Sequence, residues 1–373
     1  MASRQIPRTT RSVIIQKQAS AKKPVYHDAV IVEREIPALQ RGEVLVRMSA
    51  AAYNHREVSR LTRNAGLYPG IHFGATFGAD GAGRFPNSSA PCVVVAAHDP
   101  KDTLIQQRVF LTPMRGWKSD PEAPEGKFAT LGGGKYPPIG TFSEYVVVER
   151  DEVIPSPSHI DDVHAAAWPL AGLTAWRAAI VNADVQPGHR VLITGIGGGV
   201  AITALQICLA QGATVYVTSS SVDKIKRAIA LGAKAGFKYR DKDWAKQLGA
   251  ALRKEGAVLN SVIDGSGGDI LTQTSSILKH GGRVVVYGTT AAPVIPMTMP
   301  AVLRNQKLIG STMGSRKDLE DATAFLAKHK IVPVVSDVLD GLDAVEQGFD
   351  LIKRGGQFGK IVIDLQKGRE AKL

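Results

Sequence analysis

Short apolar runs of the kind that form β-strands fill the first 158 residues of the chain. Glycine- and proline-rich segments separate them, a pattern typical of a β-barrel or a β-sandwich. The runs are SVIIQK, AVIVEREIP, GEVLVRMSAAAYN, PCVVVAAH, RVFLTP and FSEYVVVERDEV. Between the last two, the segment from Arg115 to Gly140 has no period and predicts a long irregular loop, either functional or a simple surface excursion.

After about Ile160 the apolar pattern changes to an alternation of strand-like and helical segments. The strand-like runs RVLITGI, TVYVTSS, AGFKY, LNSVIDGS and RVVVYGT are separated by helical segments such as VDKIKRAIALG, DWAKQLGAALRKEG and ILTQTSSILKHGG. This alternation predicts an α/β fold with a doubly wound parallel sheet. The last stretch, DAVEQGFDLIKRGGQFGKIVIDL, carries a helix and a strand that either extend this sheet or return to the first domain.

Four glycines follow the first strand of the α/β region, in the stretch VLITGIGGGVAITALQ. Gly195 ends the predicted strand, and residues 197–199 begin the predicted helix. Glycine lacks the Cβ atom that would keep a phosphate from the main chain, and the first amides of a helix attract an anion. The strict G-x-G-x-x-G spacing is not met, because Val200 stands where the third glycine would be. The context still predicts a pyrophosphate site rather than a merely tight turn.

The end of the next strand favours NADP over NAD. Its tip carries Ser219, Ser220 and Ser221, and Lys224 follows in the next helix. An NAD site needs an acidic side chain here for the ribose 2′-hydroxyl, whereas hydroxyl groups and a cation suit a 2′-phosphate. Asp223 is the one acid close by, and on a helix it can point elsewhere. The expected cofactor is therefore NADPH/NADP.

Composition excludes several other classes of protein. The 373 residues are 44% hydrophobic and 21% charged, which is typical of a folded protein of two domains. No apolar stretch is long enough for a membrane span. The net charge of +12 is dispersed without interleaved aromatic residues, so we expect no nucleic-acid partner. Cys92 and Cys208 are too few for a disulfide framework, and Cys208 lies on an apolar helical face that predicts a buried, inert thiol.

Eight segments, in this order, resemble the medium-chain dehydrogenase/reductase superfamily, specifically its zinc-free, quinone-oxidoreductase-like branch. They are GEVLVRMSAAAYNHRE, LYPGIHFGATFGADGAG, GTFSEYVVV, PLAGLTAWRA, ITGIGGGVAITALQ, VIDGSGG, GGRVVVYGTT and GQFGKIVI. The resemblance runs from about Val13 to Leu365 and is much less specific for a substrate than for the superfamily. It implies a GroES-like β-rich catalytic domain over residues 1–158 and 315–373, a Rossmann NADP-binding domain over residues 159–314, and an active site in the cleft between them.

The resemblance also assigns residues to the cofactor. The glycine signature of the branch, G-x-x-G-G-V-G, is matched by Gly195, Gly198, Gly199 and Val200, with Ala201 in place of its last glycine. The residues that match the 2′-phosphate site are Ser220, Lys224 and Tyr239, with Ser219 beside them. The residues that match the loops along the rest of the cofactor are Thr174, Ser266, Gly288, Thr289, Gly359 and Lys360. For each of them, a role in turn geometry or packing alone is the alternative.

The ligands of the superfamily's zinc enzymes are not matched. Asn54 stands where the first cysteine would be, and Asp80 stands at the place of the His-Glu pair. The loop from Arg115 to Gly140 also lacks the four cysteines of the structural zinc lobe. We therefore expect no metal, because the thiolates and a correctly spaced partner ligand are missing.

Without a metal, charge that develops on a substrate oxygen has to be stabilised by hydrogen-bond donors. Asn54 and Tyr68 resemble the asparagine and tyrosine that face the nicotinamide and the substrate in the zinc-free branch. His55 and Tyr53 are local alternatives as proton donors, and a structural role is the alternative for His55.

These features predict an NADPH-dependent, zinc-independent oxidoreductase that transfers hydride to a quinone, an enone or a related conjugated carbonyl compound. Hydride addition to the β-carbon of such a small molecule suits a metal-free site, because the negative charge spreads into an enolate. Two alternatives stay open. One is a reductase of 2-enoyl thioesters such as enoyl-CoA, and the other is a nucleotide-binding protein with little turnover.

Two further segments predict partners. LRNQKLIGSTMG resembles the sheet-edge strand through which superfamily members dimerise, so we expect a homodimer. The final residues Ala371, Lys372 and Leu373 resemble the alanine variant of the S-K-L peroxisomal address, which an import receptor would bind. Cytoplasmic and peroxisomal locations both stay open.

Overall fold

The computed structural model of the protein describes residues 7–17, 28–57, 72–83, 94–99 and 101–367. Tyr68, Cys92 and the C-terminal tripeptide lie outside these ranges. The chain divides into two compact units. Unit 1 comprises Met1–Leu170 and Val332–Leu373, and unit 2 comprises Ala171–Ile331.

The described residues form strands and helices in the following order. The strands are β1 (Thr9–Gln16), β2 (Asp28–Glu35), β3 (Glu43–Ala52), β4 (Asp80–Gly83), β5 (Val94–Ala97), β6 (Val109–Leu111), β7 (Met114–Arg115), β8 (Ala129–Thr130), β9 (Tyr145–Glu149), β10 (Val153–Pro155), β11 (Arg190–Ile193), β12 (Thr214–Ser219), β13 (Ala235–Lys238), β14 (Leu259–Asp264), β15 (Leu278–Val286), β16 (Lys307–Gly310), β17 (Val335–Asp340) and β18 (Lys360–Asp364). The helices are α1 (Asp162–Ala166), α2 (Pro169–Trp176), α3 (Gly199–Ala210), α4 (Val222–Ala230), α5 (Trp244–Lys254), α6 (Ile270–Thr274), α7 (Met299–Leu303), α8 (Arg316–His329) and α9 (Val345–Arg354). A π-helical turn, Arg177–Asn182, directly continues α2.

Unit 1 is built on an eight-stranded sheet whose long central strand is β3. The strand order is β10-β6-β4-β3-β18-β17, and β5 and β9 pair with the first half of β3. Strand β18 runs antiparallel to the second half of β3, with Val362 opposite Ala52. Apolar side chains of β3, β18 and α9 share one buried core. The C-terminal helix and strand therefore return to the first domain, which settles the alternative that the sequence pattern left open.

Unit 2 contains a six-stranded sheet in the order β13-β12-β11-β14-β15-β16. All of its pairings are parallel. This is the strand order of a doubly wound dinucleotide-binding sheet, in which the ligand lies beyond the carboxyl ends of the strands where the order reverses. Here the order reverses between β11 and β14. The predicted α/β fold with a second, β-rich domain is confirmed.

The unit boundaries differ from those that the sequence pattern predicts. The expected boundaries follow residues 158 and 314, whereas the units divide after Leu170 and after Ile331. Helix α1 packs against β3 and β4 and therefore belongs to unit 1. An ion pair joins α8 to the π-helical turn, so this helix belongs to unit 2. Such tertiary contacts are not visible in a local pattern.

The segment ILTQTSSILKHGG is predicted as one helix, and this prediction is wrong in its second half. Helix α6 ends at Thr274, and β15 begins at Leu278. Leu278 is buried opposite Leu259 of β14, so pairing with the sheet overrides the local helical pattern. Gly281 within this strand has a φ of +67°, a conformation that favours glycine.

The segment from Arg115 to Gly140 is a lobe held by its own hydrogen bonds rather than a wholly irregular loop. Strand β7, which ends at Arg115, pairs with β8 inside the segment. The Glu125 carboxylate accepts hydrogen bonds at 2.7 Å from three consecutive backbone amides, those of residues 118–120. The amides of Ser119, Lys118 and Asp120 lower the pKa of Glu125 to about 2. One carboxylate thus orders a stretch in which the sequence shows no period.

Replacing Glu125 by glutamine should lower stability at neutral pH and remove part of the acid sensitivity of the fold. The folded-state pKa of about 2 lies below the ordinary value of 4.5. The carboxylate therefore stabilises the fold above pH 4.5, and this stabilisation is lost as the pH falls through 2. We expect a lower Tm than wild type at neutral pH and convergence of the two Tm values in acid, measured by scanning calorimetry. E35Q, at an exposed glutamate of β2, is the control, and equal Tm values for E125Q and wild type at neutral pH would contradict this prediction.

Two predictions from composition concern the described residues directly. Cys208 on α3 is buried, as predicted, and burial raises the pKa of its thiol to about 12. Among the described residues, no helix combines the length and the apolar character that crossing a membrane requires.

Candidate functional site

The glycine stretch forms a turn at the carboxyl end of β11. Gly195 and Gly197 have φ angles of +62° and +138°, and Gly198 precedes α3 with an extended backbone. The amide of Ile196 donates to the carbonyl of Thr218 at 2.8 Å and ties the turn to β12. Gly198 has no capping side chain, and a Cβ atom placed on it would meet no atom within 4 Å. The first amides of α3 thus border open space, as a pyrophosphate requires.

Lys224 fills the space beside the neighbouring glycine. A Cβ atom on Gly197 would lie 2.7 Å from Cδ and 3.1 Å from Nζ of Lys224, so the missing side chain leaves room for this ammonium group. Desolvation, and then the nearby Arg227, lower the pKa of Lys224 below its usual value of 10.5. Both effects disfavour the charged lysine, and a bound phosphate would offset them.

The three serines at the tip of β12 have different surroundings. The Ser221 hydroxyl caps α4 by accepting from the amide of Lys224, and the buried Ser219 hydroxyl accepts from the amide of Ser221 at 3.2 Å. The partly exposed Ser220 hydroxyl makes no hydrogen bond to any described residue. Tyr239, which follows β13, is 47% exposed. Ser220 and Tyr239 are therefore the hydroxyl groups with room for a ligand, whereas Ser219 supports the turn.

The loop after β14 is held by Asp264, a residue that the sequence pattern does not single out. Its buried carboxylate accepts hydrogen bonds from the Thr194 hydroxyl at 2.5 Å and from the amides of Ser266 and Gly267 at 3.2 and 2.7 Å. Burial raises the pKa of Asp264. The carboxylate joins the ends of β11 and β14, the two strands at which the order reverses. The available signal was an acid at the end of a predicted strand, in VIDGSGG.

Ser266 and Gly288 lie in neighbouring loops beside the glycine turn. A Cβ atom on Gly195 would lie 3.4 Å from Oγ of Ser266. A Cβ atom on Gly288 would lie 3.2 Å from the carbonyl oxygen of Gly265, so the loops that follow β14 and β15 are in contact. Thr289 follows Gly288 and is partly buried. These loops adjoin the turn, and contact of their residues with a cofactor stays a prediction.

Thr174 lies on α2 and is buried. Its hydroxyl lies 3.7 Å from the sulfur of Met313. This contact is enough to account for the threonine through packing, so the predicted role beside the nicotinamide ribose stays a prediction.

Unit 1 contains a separate polar cluster of three side chains that are far apart in the sequence. The Lys360 ammonium, on β18, donates to Oδ1 of Asn54 at 2.6 Å and to Oδ2 of Asp80 at 2.8 Å. Nδ2 of Asn54 donates to the same Asp80 oxygen at 3.1 Å. The other oxygen, Oδ1 of Asp80, accepts from the amide of Leu170 at the start of α2. The buried carboxylate is thus fully paired, and it fixes Asn54 and Lys360 together.

The donor set of this cluster does not fit a zinc ion. Zinc is held by three or four thiolate, imidazole or carboxylate ligands. Asp80 is the anionic member of the cluster, and Lys360 already neutralises it at 2.8 Å. The fixed ammonium would also repel a dication. Across the described ranges, no group of three or more His, Cys, Asp or Glu side chains is arranged for a metal.

The candidate proton donors differ in their placement. Asn54 is partly exposed, and His55 is exposed. Tyr53 is buried, packs edge-on against two phenylalanine rings, and donates its hydroxyl to the carbonyl of Val345 at 2.7 Å. Burial raises the pKa of Tyr53 well above its usual value, so the alternative of Tyr53 as proton donor is wrong. The roles of His55 and of Tyr68, which lies outside the described ranges, stay predictions.

Gly359 and Lys360 both have structural partners in unit 1. Gly359 has a φ of +121°, and a Cβ atom on it would lie 2.4 Å from the carbonyl oxygen of Val334, so glycine is required there. Lys360 is bound to Asn54 and Asp80. The sequence pattern missed this link because Asp80 and Lys360 are 280 positions apart. A contact of either residue with a cofactor stays a prediction.

Two family models match the chain. The alcohol dehydrogenase GroES-like domain matches residues 40–158, and the zinc-binding dehydrogenase model matches residues 199–328. The first match confirms the GroES-like fold expected for the β-rich domain. A zinc-type alcohol dehydrogenase-like protein, YogA of Leptosphaeria maculans, is 41% identical over 338 residues, which cover 88% of this chain and 92% of that protein.

Solved structures show the same architecture. An NAD-dependent alcohol dehydrogenase superposes with a TM-score of 0.79 at 29% identity, covering 95% of this chain and 99% of that one. A 2-octenoyl-CoA carboxylase reductase, CinF, in complex with NADP and 2-octenoyl-CoA superposes with a TM-score of 0.80 at 20% identity, covering 99% and 92% of the two chains. At that identity the second likeness concerns the fold alone.

Proposed function

This chain belongs to the medium-chain dehydrogenase/reductase superfamily and is an oxidoreductase of that type, and from this premise we propose that it transfers hydride from NADPH to a quinone, an enone or a related conjugated carbonyl compound without a metal. The proposal assigns the chain to the zinc-free, quinone-oxidoreductase-like branch. The substrate is a small molecule.

The position of Lys224 is the observation that carries the choice of NADPH. A related structure is that of an NAD-dependent enzyme, so membership in the superfamily does not select the cofactor. A dinucleotide with its pyrophosphate at the first amides of α3 carries its adenosine ribose towards the tip of β12. Lys224 lies beside Gly197 there, and the Ser220 hydroxyl has no other partner among the described residues. A cation and a hydroxyl group suit a 2′-phosphate.

The glycine turn suits a pyrophosphate, because a Cβ atom on Gly198 would meet no atom within 4 Å, and the residues around the turn would hold the phosphate groups. When bound, the nicotinamide supplies the hydride. The amides of Gly199 and Val200 would hold the pyrophosphate at the start of α3. The 2′-phosphate would be held by Lys224, Ser220 and Tyr239. Ser219 stabilises the tip of β12, because its hydroxyl accepts a hydrogen bond from the amide of Ser221.

Asn54 would supply the hydrogen-bond donor for the substrate. Hydride addition to the β-carbon of a conjugated carbonyl gives an enolate, whose negative charge lies on the carbonyl oxygen until water protonates the α-carbon. A fixed N–H donor stabilises that oxygen more in the transition state than in the ground state. Asp80 takes one of the two N–H groups of the Asn54 carboxamide, and the second is the donor that we assign to the substrate.

Turnover assays with NADPH and NADH in parallel test this proposal. We expect oxidation of NADPH with quinones and 2-alkenals, and much slower oxidation of NADH. Turnover confined to enoyl-CoA substrates would favour the thioester reductase instead. Tight NADPH binding without turnover of any substrate would favour a binding protein, and equal rates with NADH would contradict the role of Lys224.

We further propose that two copies of the chain associate through the β16 edge of the parallel sheet. Strand β16 is the last strand of this sheet, and one side of it is unpaired within the described residues. The chain just before it exposes large apolar side chains, with Val294, Met299 and Leu303 exposed by 69%, 64% and 73%. Apolar surface beside an open sheet edge is a common site of association, and a twofold axis would bury both in each copy.

Replacing Leu303 by glutamate should shift the protein from dimer to monomer, because two buried charges would face each other across the twofold axis. Wild type is expected at twice the chain mass of 39.7 kDa in light scattering coupled to size exclusion, and L303E at the chain mass. V258E, at an apolar side chain of unit 2 that is 49% exposed, is the matched control and should stay dimeric. A monomeric wild type would contradict the association.

A further inference from the structure

Lys360 links two side chains that lie far from it and from each other in the sequence. Its Nζ donates to Asn54 at 2.6 Å and to Asp80 at 2.8 Å. Lys360 is 6% exposed and Asp80 is fully buried. The Lys360–Asp80 ion pair neutralises both buried charges by itself, so charge pairing does not account for the additional bond from Lys360 to Asn54.

The two charged partners permit one orientation of the Asn54 carboxamide. An ammonium group can only donate, so the atom that faces it has to be Oδ1. A carboxylate can only accept, so the atom that faces Asp80 has to be Nδ2. A rotation of the amide by half a turn would place N–H against ammonium and oxygen against carboxylate. Lys360 and Asp80 therefore lock the amide from both sides.

In this fixed orientation, one of the two N–H groups of Asn54 is left for another partner. One N–H of Nδ2 goes to Asp80, and no other described residue accepts from the second. A hydrogen bond from a cation to Oδ1 polarises the amide and strengthens its N–H groups as donors, because hydrogen bonds in a chain reinforce each other. The ammonium thus acts on the free N–H through the amide, without itself contacting a reacting atom.

We infer that Lys360 is a positioning residue, which orients and polarises Asn54 so that its free N–H can stabilise the charge on a substrate oxygen. This inference rests on the proposed function for its catalytic consequence. The orientation of the amide, however, can be measured without turnover. The inference differs from the predicted role of Lys360 in cofactor binding, because it expects no change in NADPH affinity when the ammonium is removed.

The test compares K360M, D80N and the double variant K360M/D80N. Each single variant leaves one buried charge unpaired and should lower the Tm strongly, whereas the double variant removes both charges and should recover most of it. The double variant still lacks the ammonium, so we expect its kcat to fall about 10- to 100-fold with Kd for NADPH unchanged, a smaller loss than removal of the donor itself. If the double variant recovers the Tm but not the kcat, Lys360 contributes to catalysis by positioning Asn54 and not only by stabilising the fold.

A matched control comes from another buried ion pair of unit 1. Arg108 and Asp162 are 3.2 Å apart, and their side chains are similarly buried. R108M/D162N should behave like K360M/D80N in its Tm and should keep the wild-type kcat. This control shows whether loss of any buried pair in this unit disturbs catalysis.

The second measurement reads the Asn54 amide directly. Protein labelled with ¹⁵N-asparagine is compared by NMR as wild type, as K360M/D80N and as N54D, whose missing signal identifies the Asn54 side chain. We expect slow hydrogen exchange of the Asn54 amide in wild type and fast exchange in K360M/D80N. Unchanged exchange in the double variant would overturn the inference, whether or not the protein turns over any substrate.

The kinetic outcomes separate the inference from the proposed function. A wild-type protein without NADPH-dependent turnover would contradict the proposed function. The NMR comparison would still show whether Lys360 and Asp80 orient the Asn54 amide. If the wild type is active and K360M/D80N has the same kcat, the catalytic role of Lys360 as a positioning residue is contradicted, and the proposed function is not. A rise in Kd for NADPH in the double variant, with kcat unchanged, would replace it by a cofactor-binding role.

Discussion

Replacing Asn54 by aspartate is expected to lower kcat by about 10²- to 10³-fold, the usual effect of removing one fixed donor to a developing oxyanion. Aspartate has the same shape and still accepts from Lys360, but the ionised side chain has no hydrogen to donate. The substrate oxygen would then face a negative charge instead of a donor. Because the change lies in unit 1 and the proposed phosphate contacts lie in unit 2, Kd for NADPH should be unchanged.

Acid pH should not restore the activity of this variant. The new carboxyl group would stand where Nδ2 of Asn54 now lies, 3.1 Å from Oδ2 of Asp80. A protonated carboxyl group has a single hydrogen, and between two carboxyl oxygens this close that hydrogen would lie in the bond that joins them. The substrate oxygen would still lack a donor, so the ratio of variant to wild-type kcat should stay low as the pH falls.

An asparagine in unit 2 provides the matched control for N54D. Oδ1 of Asn260 accepts from the backbone amide of Arg190 at 2.8 Å, so aspartate can replace it without losing this bond. N260D should keep the wild-type kcat at every pH. If N54D is folded and turns over at the wild-type rate, Asn54 is not the donor.

Replacing Lys224 by alanine should raise KM for NADPH about 10- to 100-fold, because a hydrogen bond to a charged group contributes about 1.5–3 kcal/mol. KM for NADH should stay nearly constant, because NADH has no 2′-phosphate. The preference for NADPH over NADH, expressed as the ratio of kcat/KM, should therefore fall by the same factor. The preference of wild type should also weaken with added salt, as screening reduces the attraction between lysine and phosphate.

Lys226 on the same helix is the matched control for Lys224. It is exposed and lies two positions after Lys224, and K226A should keep the preference for NADPH. Equal loss of preference in K224A and K226A would point to the general charge of α4. An unchanged preference in K224A would contradict the assigned contact with the 2′-phosphate.

The sequence pattern predicted those elements whose conformation depends on neighbouring residues, namely most strands and helices and the glycine turn. β-branched runs and helical spacing indicated the alternating segments, and their order led to the parallel sheet of unit 2. The turn at residues 195–199 was predicted because glycine by itself permits backbone conformations that other residues rarely adopt. The turn at Gly197 and the neighbouring Lys224 then took the predicted places at the carboxyl end of the sheet.

Contacts between distant segments could not be predicted in the same way. Asp80 and Lys360 form one ion pair across 280 positions, and nothing in GADGAG or GQFGKIVI indicates that they meet. Leu278 joined a strand although its segment has helical spacing, because its partner Leu259 belongs to another element. Tyr53 was a plausible donor by type and position, but the packing of α9 around it decides that its hydroxyl is buried. In each case the deciding partner lies outside the window that a local pattern covers.

Deuterium transfer from the cofactor decides whether the protein reduces conjugated carbonyl compounds with NADPH. Purified wild-type protein is incubated with a 2-alkenal and with NADPH that carries deuterium in both C4 positions, and the product is examined by mass spectrometry and NMR. We expect a saturated aldehyde with one deuterium at the β-carbon, formed much faster than with NADH labelled in the same way. A product without the label, or equal labelling from both dinucleotides, would overturn the proposed reaction.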